Sequence, residues 1–120
     1  MGILDPSLFS HEAHLRLAWI HLRQGEVKNA IVNVTEQIQA FAIRNGAPGK
    51  YHETVTVAAV KAVDHFMRRS KEKTFQNFIT EFPRLKTEFK SLMDSHYSYN
   101  LFTSDVARKE FQEPDLAPFD

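Results

Sequence analysis

The sequence predicts an all-α fold: an antiparallel up-down helical bundle of about four main helices, with a short C-terminal helix and an extended tail. Three observations predict it. Apolar residues recur three and four apart in successive segments, which at about 100° per residue gathers them on one helix face. Glycine, proline and hydroxyl residues stand at the segment ends, where helices start and stop. The connections are short, so consecutive helices are expected to pack antiparallel.

The first helix is predicted from Ser10 to Gln24, with Ser10 as N-cap and Gly25 as stop. Leu15, Ala18, Trp19 and Leu22 form its apolar stripe, and Phe9 is placed to pack back on the first turn. The second runs from Glu26 to Asn45, with Val27, Ala30, Ile31, Val34, Ile38 and Phe41 on one face. Gly46 supplies a left-handed stop, and Gly46-Ala47-Pro48-Gly49 a tight turn. The third runs from Tyr51 to Arg69. Val55, Ala59, Ala62, Val63 and Phe66 make its core stripe, and Lys61, Asp64 and Arg68 its wet face. Its β-branched residues mildly disfavour helix, but the spacing of its charges argues against a strand.

A polar linker, Ser70 to Lys73, leads to a fourth helix capped by Thr74, with Phe75, Phe78, Ile79 and Phe82 on one side. Pro83 breaks it, because proline lacks the amide and clashes with the preceding turn. Leu85, Phe89, Leu92 and Met93 predict helix resuming beyond the break. His96 to Phe102 reads as irregular, Ser104 as the cap of a short helix to Phe111, and Glu113 to Pro118 as an extended tail.

The 120 residues form one domain, 1–120, long enough for a core that needs no metal or disulfide staple. A chain 42% hydrophobic and 25% charged is globular in character. Fifteen cations balance fifteen anions, so no global field points to nucleic acid or an anionic membrane. No apolar stretch approaches the roughly 20 residues of a membrane helix, and no signal peptide is visible. The lack of cysteine excludes thiol nucleophiles and thiolate metal sites, and fits a cytoplasmic setting.

Two histidine clusters mark a place to look for chemistry. His11 and His14 open the first helix in Ser10-His11-Glu12-Ala13-His14-Leu15, and His52 opens the third in Lys50-Tyr51-His52-Glu53-Thr54. His11 falls on the apolar stripe, His14 at its edge, and His52 on the side of Ala59 and Val63. In an up-down bundle, both first turns share one end. His11, His14 and His52 are therefore expected to converge, with Glu53 and Tyr51 nearby and Trp19 as a wall. The positive end of the helix dipole favours neutral imidazoles there. Three neutral imidazoles and a carboxylate would suit a divalent transition metal such as zinc or iron. A histidine without a metal could be a general base for a small substrate. The same residues could equally hydrogen-bond the free amides and carbonyls at the bundle's end, and spacing alone does not separate these readings.

The known metal patterns are absent. His11-Glu12-Ala13-His14 is not the zinc-protease motif, which needs histidines four apart, and the diiron pattern needs glutamates that occur here only scattered. There is no phosphate-binding glycine loop and no serine nucleophile motif. His21, His65 and His96 read as structural. The basic run Arg68, Arg69, Lys71 and Lys73 reads as the favoured charge at a helix C-terminus. The ten phenylalanines read as core.

Several stretches resemble a family of small, largely uncharacterised bacterial helical proteins. The matching residues include His11 and His14 to Trp19 near the start, Gly49 to Thr54 with Thr56 in the middle, and Tyr97, Ser98, Leu101, Ser104 and Pro114 to Leu116 near the end. The Tyr51-His52-Glu53-Thr54 block is the most specific part. Tyr99 and Asp105 stand where the family pattern would place proline. The resemblance implies an essentially complete chain of bacterial origin and carries no activity with it. Two functions are therefore expected. The first is binding of a small molecule or divalent metal at the histidine end. The alternative is a non-catalytic interaction protein, a homodimer with an exposed aromatic face.

Overall fold

The computed structural model describes residues 11–119. Among them there are helices and turns and no strand, and the all-α prediction holds. Three long helices form the frame: α1 (His11–Gln24), α2 (Val27–Arg44) and α3 (Glu53–Met67). They pack on one another, with contacts consistent with the up-down order. The expected cap at Ser10 and the packing of Phe9 lie outside the described residues.

The α2 end shows why a glycine stands at position 46. The Gly46 amide bonds the Ile43 carbonyl and the Ala47 amide bonds the Ala42 carbonyl, which closes the last turn only if the chain enters the left-handed region. Gly46 does so, with φ 71°.

α3 is the central helix. Sequence phase gave it one apolar stripe, yet Thr56, Val57, Ala58, Ala59 and Val60 are buried in succession. A helix buried on most sides is surrounded, and α1, α2 and the later helix at Asp105–Lys109 all contact it. The small side chains of Ala58, Ala59 and Ala62 suit such close packing.

The fourth side of the bundle is made of short pieces: α4 (Phe75–Glu81), α5 (Arg84–Thr87) and α6 (Phe89–Asp94). Thr74 caps α4 by accepting from the Asn77 amide at 3.2 Å. Pro83 makes the first break, as expected, and a second falls at Glu88, where the backbone leaves helical geometry (φ −134°, ψ 34°). Phe75, Phe78, Ile79, Leu85, Phe89, Leu92 and Met93 nevertheless all reach the core. A 3-10 turn at Leu101–Thr103 leads to α7 (Asp105–Lys109), whose cap is Ser104. The chain then runs without regular structure through Phe119 along α2 and α3.

Candidate functional site

His52 is the N-cap of α3. Its Nδ1 accepts the Val55 amide at 3.1 Å. That nitrogen must be unprotonated, so Nε2 carries the hydrogen and donates it to the Leu101 carbonyl at 2.8 Å. One imidazole thus closes the first turn of α3 and ties it to a turn 49 residues away. Burial, the largest cause, holds its pKa below the ordinary histidine value, and the Arg108 charge acts the same way.

His11 performs a similar task elsewhere. Its Nε2 donates to the Leu85 carbonyl at 2.7 Å, and its ring lies 4.5 Å from that of Phe89. The neighbouring Glu12 pairs with Lys86 at 3.0 Å. These contacts clamp the first turn of α1 to α5 and α6. His14 is brought close enough to His11 to feel its charge. Burial first, and His11 second, lower its pKa from 6.5 to about 4. For His14 and His52 the expected neutrality is favoured by desolvation, the largest cause for each.

The expected three-imidazole metal centre is not assembled. Among the described residues, no three side chains of His, Cys, Asp and Glu gather closely enough to hold a metal ion. The physical reason lies in His52. Both of its ring nitrogens are engaged by backbone groups, and turning either toward a metal would uncap α3 or release Leu101. His11 and His14 lie near one another, but His52 does not join them in a ligand set.

The other residues expected at this end also have internal partners. The buried Tyr51 hydroxyl donates to Glu53 Oε1 at 2.5 Å, and burial together with this carboxylate raises the phenol pKa. Trp19 lies eight residues beyond His11, about 12 Å along the helix at the usual rise, and does not wall the histidine end. It packs edge-on to Phe75 with Arg23 over its ring, beside a separate hollow of about 280 Å³.

Sequence reasoning missed a groove of about 440 Å³ beside the second half of α3. α2 supplies Val27, Lys28 and Ile31 to it. α3 and its C-cap supply Lys61, Asp64 and Arg68, the residues whose spacing assigns them to the wet face. The C-terminal tail supplies Glu113, Pro114, Pro118 and Phe119.

The tail is fastened to the segment after α6 at several points. The Leu116 amide donates to the His96 carbonyl at 2.9 Å, and His96 Nδ1 donates to the Ala117 carbonyl at 2.7 Å. The His96 ring stacks on Phe119 at 4.1 Å between centroids. Tyr97, 2% exposed, donates its hydroxyl to the Gln112 carbonyl at 2.7 Å. Asp115 accepts from the Ser98 amide at 3.0 Å and from the Ser98 hydroxyl, which holds its pKa below the ordinary carboxylate value. Fully buried Thr54 completes the anchor from α3. Its hydroxyl donates to the Glu110 carbonyl at 2.9 Å and accepts the Gln112 amide at 3.0 Å.

His96 and Asp115 thus act as fasteners across the fold. His65, at the last turn of α3, lies against the same tail. Its pKa is lowered first by burial and then by Arg69, with the Phe119 backbone opposing.

In charge, the groove is mixed. Arg68 and Asp64 pair at 2.7 Å. Lys61 lies 5.0 Å from the ring centre of Phe111. Among the described residues, neither Lys28, Lys61 nor Glu113 takes part in an ion pair. Such a surface can hold a small polar molecule against an apolar floor.

No family model, curated protein or solved structure matches the chain, so the function rests on this geometry.

Proposed function

We propose that this protein binds a small organic molecule in the groove between α2, α3 and the C-terminal tail. The observation that carries the reading is the anchored tail. A wall held by Thr54, His96, Tyr97 and Ser98 is formed before any ligand arrives, so binding need not bear the cost of ordering it. The volume of about 440 Å³ falls within the roughly 300–1,000 Å³ typical of small-molecule sites. A cytoplasmic setting fits a cysteine-free chain, and among the described residues no helix is long and apolar enough to cross a membrane.

The test is amide shift mapping of the full chain against a library of small metabolite-like molecules. Saturable shifts at Ile31, Lys61 and Phe119 support the groove. A library that leaves these three amides unmoved counts against it.

A homodimer is the second reading. Val32 and Ile43 are 49% and 59% exposed and lie eleven residues apart, which returns them to one face of α2. Light scattering that gives the monomer mass at high concentration would remove it.

A further inference from the structure

We propose that the groove selects an amphiphilic carboxylate, a small monoanion whose head is held by Lys28 and Lys61 and whose apolar body rests on Val27, Ile31 and Phe119. This rests on the small-molecule reading and adds the chemical class. Three cations and two carboxylates line the groove, and Asp64 is neutralised by Arg68 at 2.7 Å. Lys28 and Lys61 then face the groove with no ion pair among the described residues, and Glu113 is the single opposing charge. The surplus is one positive charge, which fits a monoanion better than a phosphate dianion.

The two lysines come from different helices, α2 and α3, so a single anionic head can be gripped from two sides. The ammonium of Lys61 is steered by the Phe111 ring, 5.0 Å from its centre, and is thereby limited in its wandering. Apolar surface completes the selection. Val27 and Ile31 are one helical turn apart, so their side chains adjoin. The Phe119 ring is fixed by stacking on His96. A head without an apolar body would leave that surface wet, and an apolar body without a charge would leave both ammonium groups unused.

The probes are 3-phenylpropionate, its alcohol 3-phenylpropan-1-ol and its amine 3-phenylpropylamine, each titrated into the full-length protein and followed by amide shifts. The acid is expected to saturate at Ile31, Lys61 and Phe119 with an affinity about tenfold better than the alcohol, a difference of about 1.4 kcal/mol. Lys28→Gln and Lys61→Gln together are expected to bring the acid's affinity down to that of the alcohol, in a protein whose unliganded amide spectrum is still that of the folded chain. Equal binding of acid and alcohol at the groove would overturn the carboxylate class and leave the groove reading intact. Tighter binding of the amine would assign the selection to Glu113 and also overturn it. If none of the three moves these amides, the class inference and the groove reading fall together.

Discussion

Replacing His52 by alanine removes two hydrogen bonds made by one ring, and their sum can be worked out. Loss of an N-cap costs about 1 kcal/mol. The Leu101 carbonyl, in a residue 1% exposed, loses its donor, and an unsatisfied buried acceptor costs about 1–3 kcal/mol. His52→Ala should therefore destabilise the protein by about 3 kcal/mol. At about 3–6 °C per kcal/mol for a domain of this length, melting should fall by roughly 10–15 °C.

His52→Asn separates the two contributions. Asparagine retains a cap for the Val55 amide but does not reach Leu101, so it should cost about 2 kcal/mol, roughly 1 less than alanine. Urea unfolding followed by circular dichroism at pH 7.5 measures both. The pH dependence checks the tautomer. Because folding lowers the His52 pKa, its contribution is full above the unfolded value near 6.5 and is lost as pH falls through the folded value. Protonated Nδ1 would meet the Val55 amide donor to donor. The reasoning fails if His52→Ala lies within about 0.5 kcal/mol of wild type, the range of a surface change. It also fails if asparagine is no better than alanine.

Three further outcomes are expected. His14, lowered from 6.5 to about 4, makes the folded state lose about 3 kcal/mol between those pH values, and His14→Gln should flatten that part of the wild-type stability-versus-pH curve. Equal slopes for the two proteins over that window would contradict the burial of this imidazole. Thr54→Val keeps the shape but removes both hydrogen bonds to the tail, at a cost of about 1–3 kcal/mol, and should speed hydrogen exchange at Gln112. Unchanged exchange there would mean that the tail is held by other contacts alone. Adding a chelator, or zinc, should leave the melting temperature of tag-free protein within error, because no three-ligand set exists among the described residues, whereas a shift abolished by His52→Ala would revive the metal centre.

The helical frame was readable because its signals are local. Stripes in α1 and α2, the Gly46 stop, the Thr74 and Ser104 caps and the Pro83 break each depend on residues within a turn or two. The site was not readable in the same way. Helix phase gives a direction for His11 and not a partner, and His52, an N-cap with extended backbone, lies just outside the helix whose phase was used. An inward imidazole at a helix start serves equally as ligand or as cap. The choice was made by Leu85 and Leu101, carbonyls 74 and 49 residues distant.

The groove was hidden for another reason. One wall is the charged face of α3, where Lys61, Asp64 and Arg68 look like an ordinary solvated surface. The facing wall comes from a tail with no periodicity, whose placement depends on Thr54, His96, Tyr97 and Asp115. A useful signal was present in Thr54 and Thr56, hydroxyl residues among the apolar side chains of the first half of α3 and both buried. Buried hydroxyls require partners, and Thr54 finds its own in the tail.

The central claim is that the histidine end holds the fold together while binding occurs beside the second half of α3. Amide shift mapping of the full chain with 3-phenylpropionate tests it in one titration. Saturating shifts are expected at Ile31, Lys61 and Phe119, with His11, His14 and His52 unmoved. Saturating shifts centred on those three histidines, with Phe119 unmoved, would contradict it.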